Sequence, residues 1–254
     1  MTGKVYLIGA GPGAADLITL RGARLLAQAD IVFYDALVQA DLLALAPQAR
    51  QVAVGKRCRQ LSTDQRFINR ALVEAAQRHS VVVRLKGGDA TLFGRVQEEI
   101  SALRDAGIAY EIVPGITSAL AASADLGISL TQRGVSRSVV FVTPRAGEGE
   151  AASEWIQSVL AADTAVLYMA SGQAAEIAVS LMQHGLAGST PVALVSNASL
   201  PNMQKVVTTL SNLHEAAQNA GSPALIILGE VLRAQGVEAL PQFIQQQKIV
   251  GNIF

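Results

Sequence analysis

Cysteine, histidine and net charge are all scarce in this chain of 254 residues, and each scarcity removes a class of function. A single cysteine, Cys58, leaves no internal disulfide. With an opening that does not resemble a signal peptide, it points to a cytoplasmic protein. His79, His184 and His214 stand far apart without ligand spacing, so no metal site is expected. Lys plus Arg and Asp plus Glu both number 20, and a formal net charge of zero offers no basic field for nucleic acid or an anionic membrane. An anionic ligand would have to be met by local Arg and Lys. No apolar run approaches the roughly 18 residues that span a bilayer. What is plentiful is apolar surface: half of the residues are hydrophobic and 16% are charged, which excludes a disordered chain and favours well-covered sheets.

Short β-rich runs alternate with helical patterns. "KVYLIG", "DIVFYD", "QVAVG", "VVVRL" and "YEIVP" lie in the first half, and "SVVFVTP", "TAVLYMA", "PVALVSN", "KVVTTL" and "PALIILG" in the second. Most are continuous apolar runs, as strands covered on both faces require, and stretches such as "RVQEEISALRDAG" have a helical period with a glycine stop. The expected fold class is α/β, as two α/β domains with mainly parallel or mixed sheets. The polar stretch "TQRGVSRS" places the boundary between residues 1–132 and 133–254. "RAGEGEAASE" reads as a mobile acidic surface loop, and the residues from about 234 read as an appended tail.

The opening "VYLIGAGPGAADLITLRGARLLAQADIVFYD" matches the dinucleotide fingerprint in form: a strand, then Gly9, Gly11 and Ala14, and an acid, Asp35, about twenty residues on. The mechanism fits poorly. A pyrophosphate needs free amides at a helix start inside the glycine turn, whereas Pro12 removes a donor and the first good cap is later, at Thr19.

In α/β sheets ligands bind beyond the carboxyl ends of strands. Besides "GAGPG", three other loops occupy such positions: "RLKGGDATLFGR", "VPGITSALAASADLG" and "YMASG". Gly87 and Gly88 let a backbone approach closely, with Asp89 beside them; a plain turn with Asp89 capping the next helix explains the same residues. After Gly115, small side chains with Thr117 and Ser118 suit either a bulky ligand or tight helix packing.

"VYLIGAGPG", "YDALV", "VGKR", "LKGGDATLFGR", "EIVPGITSA", "LTQRG" and "LYMA", in this order and at these intervals, resemble uroporphyrinogen-III C-methyltransferases of the tetrapyrrole methylase group. The resemblance covers residues 3 to about 233. It implies transfer of methyl groups from S-adenosylmethionine to two ring carbons (C2 and C7) of uroporphyrinogen III, giving precorrin-2. It also implies a homodimer of two-domain α/β chains with the cofactor in the cleft between domains. By the same resemblance Pro12, Gly87, Gly88, Asp89, Leu92, Thr117, Ser118, Met169 and Ala198 bind the cofactor; Met169 could equally be core. Asp35 and Lys56 match the acid and base positions, and Arg95, Glu98 and Arg133 match the substrate face. Arg suits the substrate's carboxylates, and Glu98 can accept pyrrole N–H bonds. Strand-end capping for Asp35, a solvated loop for Lys56 and an exposed first helical turn for Arg95 and Glu98 are the plain alternatives.

The chain departs from the family pattern at Ala36, at Ala90 and Thr91, at Val96 and Gln97, and at Gln132. These changes question substrate identity more than methyl transfer, and Val96 and Gln97 are expected to narrow the porphyrinogen site. Competing readings are a later precorrin methylase, a nicotinamide-dependent dehydrogenase, and a protein that binds the cofactor without turnover. The product could serve sirohaem, cobalamin or haem d1. The dehydrogenase and chelatase half joined to this module in bifunctional sirohaem synthases has no counterpart among these motifs.

Overall fold

A computed structural model describes residues 2–55, 65–145, 154–218 and 220–234. Lys56, most of the acidic loop and the tail expected from about 234 lie outside the described residues. Two compact units divide the chain. The first comprises Met1–Gly127 together with Asn197–Met203, and the second comprises Ile128–Ser196 with the chain from Gln204 onward.

In the first unit the order is β1 (Lys4–Gly9), α1 (Leu20–Ala27), β2 (Ile31–Tyr34), α2 (Ala40–Leu43), β3 (Arg50–Ala53), α3 (Gln65–Ala76), β4 (Val81–Lys86), α4 (Val96–Asp105), β5 (Ala109–Val113) and α5 (Ser118–Leu126). The strands form one parallel sheet in the order β3-β2-β4-β1-β5. Side chains alternate across it. Val5, Leu7, Ile31, Phe33 and Val82 pack with Leu72, Ile100 and Leu103 of α3 and α4. Ile8, Val32, Val83 and Leu85 pack on the other face with Leu26 and Leu42. Helix α1 starts where the sequence places it: the Thr19 hydroxyl accepts from the Gly22 amide at 3.1 Å.

The second unit runs β6 (Val139–Val142), α6 (Trp155–Ala161), β7 (Thr164–Leu167), α7 (Ala174–Gln183), β8 (Pro191–Ser196), β9 (Gln204–Thr209), α8 (Leu213–Gln218), β10 (Ala224–Gly229) and α9 (Val231–Ala234). Its sheet, β6-β7-β10-β8-β9, is mixed: only β6 and β7 are parallel neighbours, while β10 pairs antiparallel with both β7 and β8, and β9 pairs antiparallel with β8. All ten apolar runs are strands. Continuous hydrophobicity reports burial on both faces in the inner strands such as β4, β8 and β10, whereas the edge strands β3 and β9 are largely exposed or half-buried, and it carries no information about strand direction.

Candidate active site

Three neighbouring strands, β4, β1 and β5, end together, and the loops beyond them meet through their backbones. The Gly11 amide donates to Gly88 O at 3.1 Å and the Gly88 amide to Gly11 O at 2.7 Å. Glycine is required here by close approach. A Cβ on Gly115 would lie 2.3 Å from Gly88 O, and one on Gly9 would lie 2.6 Å from the Gly115 Cα. Asp89 locks the junction: Oδ2 accepts from the Gly115 amide at 2.9 Å, and Oδ1 accepts from the Thr91 amide and hydroxyl. Burial pushes the Asp89 carboxyl up, but the Thr91 hydroxyl, the Gly115 amide and the Thr91 amide outweigh it and hold the group below the usual carboxylate range. Asp89 is therefore charged at neutral pH and is no cap for α4, whose N-cap is Arg95.

The loop Asn197–Met203 completes this cluster. Ser199 Oγ accepts from the Ala14 amide at 3.0 Å, and the Ser199 amide donates to Asp125 at 2.8 Å. A Cβ on Gly13 would lie 2.9 Å from Leu200 and 3.3 Å from Ala198 O. Pro12, Gly87, Gly88, Asp89, Thr117, Ser118 and Ala198 are thus gathered in one loop cluster of the first unit. Leu92 follows on the Asp89 turn, its amide donating to Asp89 O. Thr117 is the backbone N-cap of α5, without a side-chain cap bond. The amides of Gly11 and Ala14 are already engaged, and β1 leads into a long loop before α1. These two amides are unavailable to a pyrophosphate, and Pro12 has none to offer, which weighs against the dehydrogenase reading.

Asp35 follows β2, and its Oδ1 accepts from Arg84 Nη2 at 2.6 Å. Arg84 and Lys86 lie two residues apart on β4, on the face that α4 covers, and both are 3% exposed at the side chain. Between them sits Glu99, fully buried in the α4 stripe with Val96, Ile100 and Leu103. Its Oε1 accepts from Arg84 Nε at 3.0 Å, Lys86 Nζ at 2.9 Å and Gln65 Nε2 at 3.3 Å. The motif reading passed over these three charged residues. The signal was present: charges at alternate positions of an otherwise apolar strand, and a Glu at the inward period of a helix.

Arg95 and Glu98, both expected at the substrate face, are paired with each other, Nε to Oε1 at 2.7 Å and Nη2 to Oε2 at 2.9 Å, and both are exposed. Phe93 (φ 53°) and Arg95 (φ 54°) bracket Gly94 in left-handed backbone, a strained arrangement of the kind that concentrates at functional loops. Val96 corrects an expectation. It packs into the core and adds no side chain to a substrate face, while Gln97 is exposed. Ala90 is also core, fully buried. In the second unit Met169 is 48% exposed with φ 55°, so it is not core. Arg133 is exposed on the turn that Gln132 and Ser136 close by reciprocal amide bonds. The side-chain oxygen of Gln132 is buried with no hydrogen-bond partner among the described residues.

Fold and site together define an α/β protein with two units and, in the first, a glycine-rich loop cluster at the carboxyl ends of a parallel sheet. The chain belongs to the tetrapyrrole (corrin/porphyrin) methylases, whose family model matches residues 4–214. It is 43% identical over 233 residues to siroheme synthase 1 of Klebsiella pneumoniae, covering 91% of this chain and 50% of that protein. With the siroheme synthase of Zymomonas mobilis it shares 44% over 230 residues, 90% of this chain and 49% of the relative. The chain thus spans about half the length of the curated relatives it matches. Among solved structures it resembles uroporphyrin-III C-methyl transferase from Thermus thermophilus complexed with S-adenyl homocysteine, at 40% identity and a TM-score of 0.81, covering 91% of this chain and 100% of that one. It also resembles a cobalt precorrin-4 methyltransferase, at 31% identity and a TM-score of 0.78, covering 90% and 95%.

Proposed function

We propose that the chain is an S-adenosylmethionine-dependent C-methyltransferase that converts uroporphyrinogen III to precorrin-2 by methylation at C2 and C7. The observation that carries the reading is the glycine junction closed by Asp89, a charged carboxylate whose Oδ2 retains accepting capacity. Such a cradle fits a cation or a ribose hydroxyl and does not fit a phosphate. The family membership and the Thermus thermophilus relative with S-adenyl homocysteine support the same ligand.

When bound, S-adenosylmethionine supplies an activated methyl group. The residues of Pro12, Gly87, Gly88, Asp89, Leu92, Thr117, Ser118 and Ala198 hold it in this reading, together with Met169. Methylation of a pyrrole carbon depends mainly on alignment, and a proton must then leave the macrocycle. Asp35, partly exposed and paired with Arg84, accepts it. Arg95 exchanges Glu98 for a substrate carboxylate, which frees Glu98 to accept pyrrole N–H groups, and Arg133 meets a further carboxylate. Lys56 keeps its proposed catalytic place on the resemblance alone. A cytoplasmic homodimer without metal, nucleic acid or membrane partners belongs to the same proposal.

An anaerobic assay with uroporphyrinogen III and labelled S-adenosylmethionine, followed by mass analysis, tests it. The expected product gains two methyl groups. Absence of label in this acceptor, with transfer to a precorrin, would replace the reading by that of a later methylase.

A further inference from the structure

The four-charge cluster behind Asp35 has no assigned role, and stability does not explain it. Replacing buried ion sets by apolar side chains is often neutral or stabilising, because desolvation cancels the attraction. Orientation does explain it. Register pairs Phe33 of β2 with Arg84 of β4, so the guanidinium extends along the sheet face past the end of β2 to the carboxylate that follows. All three of its nitrogens are engaged: Nε on Glu99, Nη1 on the carbonyls of Phe33 and Leu85, Nη2 on Asp35. A fork held at its other nitrogens presents Nη2 in one direction, and the Asp35 carboxylate takes the rotamer that meets it. Of the four ionic side chains only Asp35, at 30%, opens to solvent; the others are at 3% or less.

We infer that Arg84 is a positioning residue for Asp35, aimed by Glu99 and charge-balanced within the cluster by Lys86, so that one oxygen of the carboxylate is anchored and the other is presented to substrate. The inference rests on the proposed methyl transfer, in which Asp35 accepts the proton. Burial and repulsion by Arg84 lower the Lys86 ammonium from its ordinary value against the pull of Glu99, whereas Asp35 and Glu99 together overcome the burial of Arg84 and raise it. The guanidinium is the group whose charge the cluster reinforces, and it is the one that faces the Asp35 carboxylate.

The test is a kinetic cycle with Arg84→Gln, Arg84→Lys, Asp35→Asn and the two double variants, using uroporphyrinogen III under anaerobic conditions. Arg84→Gln should lower kcat by roughly tenfold or more, with KM and the Kd for S-adenosylhomocysteine within about threefold of the parent. Arg84→Lys keeps the charge but cannot serve Glu99 and Asp35 in fork geometry, and should recover part of the loss. In the Asp35→Asn background both Arg84 changes should alter kcat by less than about twofold, because the group they position is gone. A purely structural Arg84 would lower kcat by the same factor in both backgrounds, and that outcome, or an unchanged kcat in the parent background, overturns the inference. If Arg84→Gln does not fold, the Arg84→Lys pair of measurements decides alone. A parent chain that does not methylate uroporphyrinogen III overturns the proposed function, and the positioning role with it. A parent that turns over while its Arg84 variants behave as structural ones overturns the positioning role only.

Discussion

The two units bury different kinds of polar group. Among the described residues, those of the first unit that are polar and buried as a whole are Gln65, Arg84, Lys86 and Glu99, while those of the second are the hydroxyl residues Ser136, Thr164, Thr190 and Ser196, beside the buried side-chain oxygen of the half-buried Gln132. The hydroxyls sit where strand edges need them: Ser136 and Thr164 bond each other at 2.9 Å. Both units use the same device at a strand start, an Asp whose carboxylate takes two successive amides. Asp30 takes Ser80 and Val81; Asp163 takes Arg137 and Ser138. The shared device is structural. A sheet needs capped strands and does not need a buried ion cluster, and in the inference drawn above that cluster serves to aim Asp35.

The sharpest way to break this contrast is to remove one ion and one hydroxyl. Glu99→Gln leaves Arg84 and Lys86 buried with a single anion between them, and should destabilise the protein by about 3 kcal/mol in denaturant unfolding. A loss below about 1 kcal/mol would mean that the cluster is well hydrated and not a true buried network. Next in size is the glycine junction. Gly115→Ala forces a methyl against Gly88 O, so affinity for S-adenosylhomocysteine by calorimetry should fall roughly thirtyfold, about 2 kcal/mol. Unchanged binding would separate the ligand from this loop cluster. Thr164→Val keeps shape and removes the hydroxyl pair of the second unit, which should cost about 1 kcal/mol and leave kcat unaltered. A fall in kcat there would erase the division of labour between the units.

The smallest effect is one of pH. Because the Asp89 carboxyl is held below its ordinary value, the unfolded chain binds that proton more readily than the folded one. The stability it contributes is complete above its unfolded value near pH 4 and is lost as pH falls through the lower folded value. The melting-temperature gap between parent and Asp89→Asn should therefore be constant above about pH 5 and narrow below about pH 4. A gap that persists in acid would show that the shape of Asp89, and not its charge, closes the junction.

Strands were legible because burial on two faces leaves continuous apolar runs, and the α1 start was legible because Thr19 caps locally. The loops that gather at the ends of β1, β4 and β5 could be named from glycine spacing and resemblance. Their mutual bonds could not, since Gly11 and Gly88 are far apart in sequence and meet only when β1 pairs with β4. Val96 shows the opposite error: by motif it belonged to the ligand face, but helix period turned it inward with Ile100 and Leu103.

By itself the sequence determined the α/β class, the positions of the strands and the family, and it named the candidate site residues, because each of these is written in local pattern or in ordered motifs. Tertiary structure alone decided that the second sheet is mixed, that Asp89 joins two loops, and that Asp35 is held by Arg84 and, through it, by Glu99. Strand direction and long-range pairing depend on which surfaces are free to meet after collapse, and a carboxylate 49 residues from its guanidinium finds it only when β2 lies beside β4.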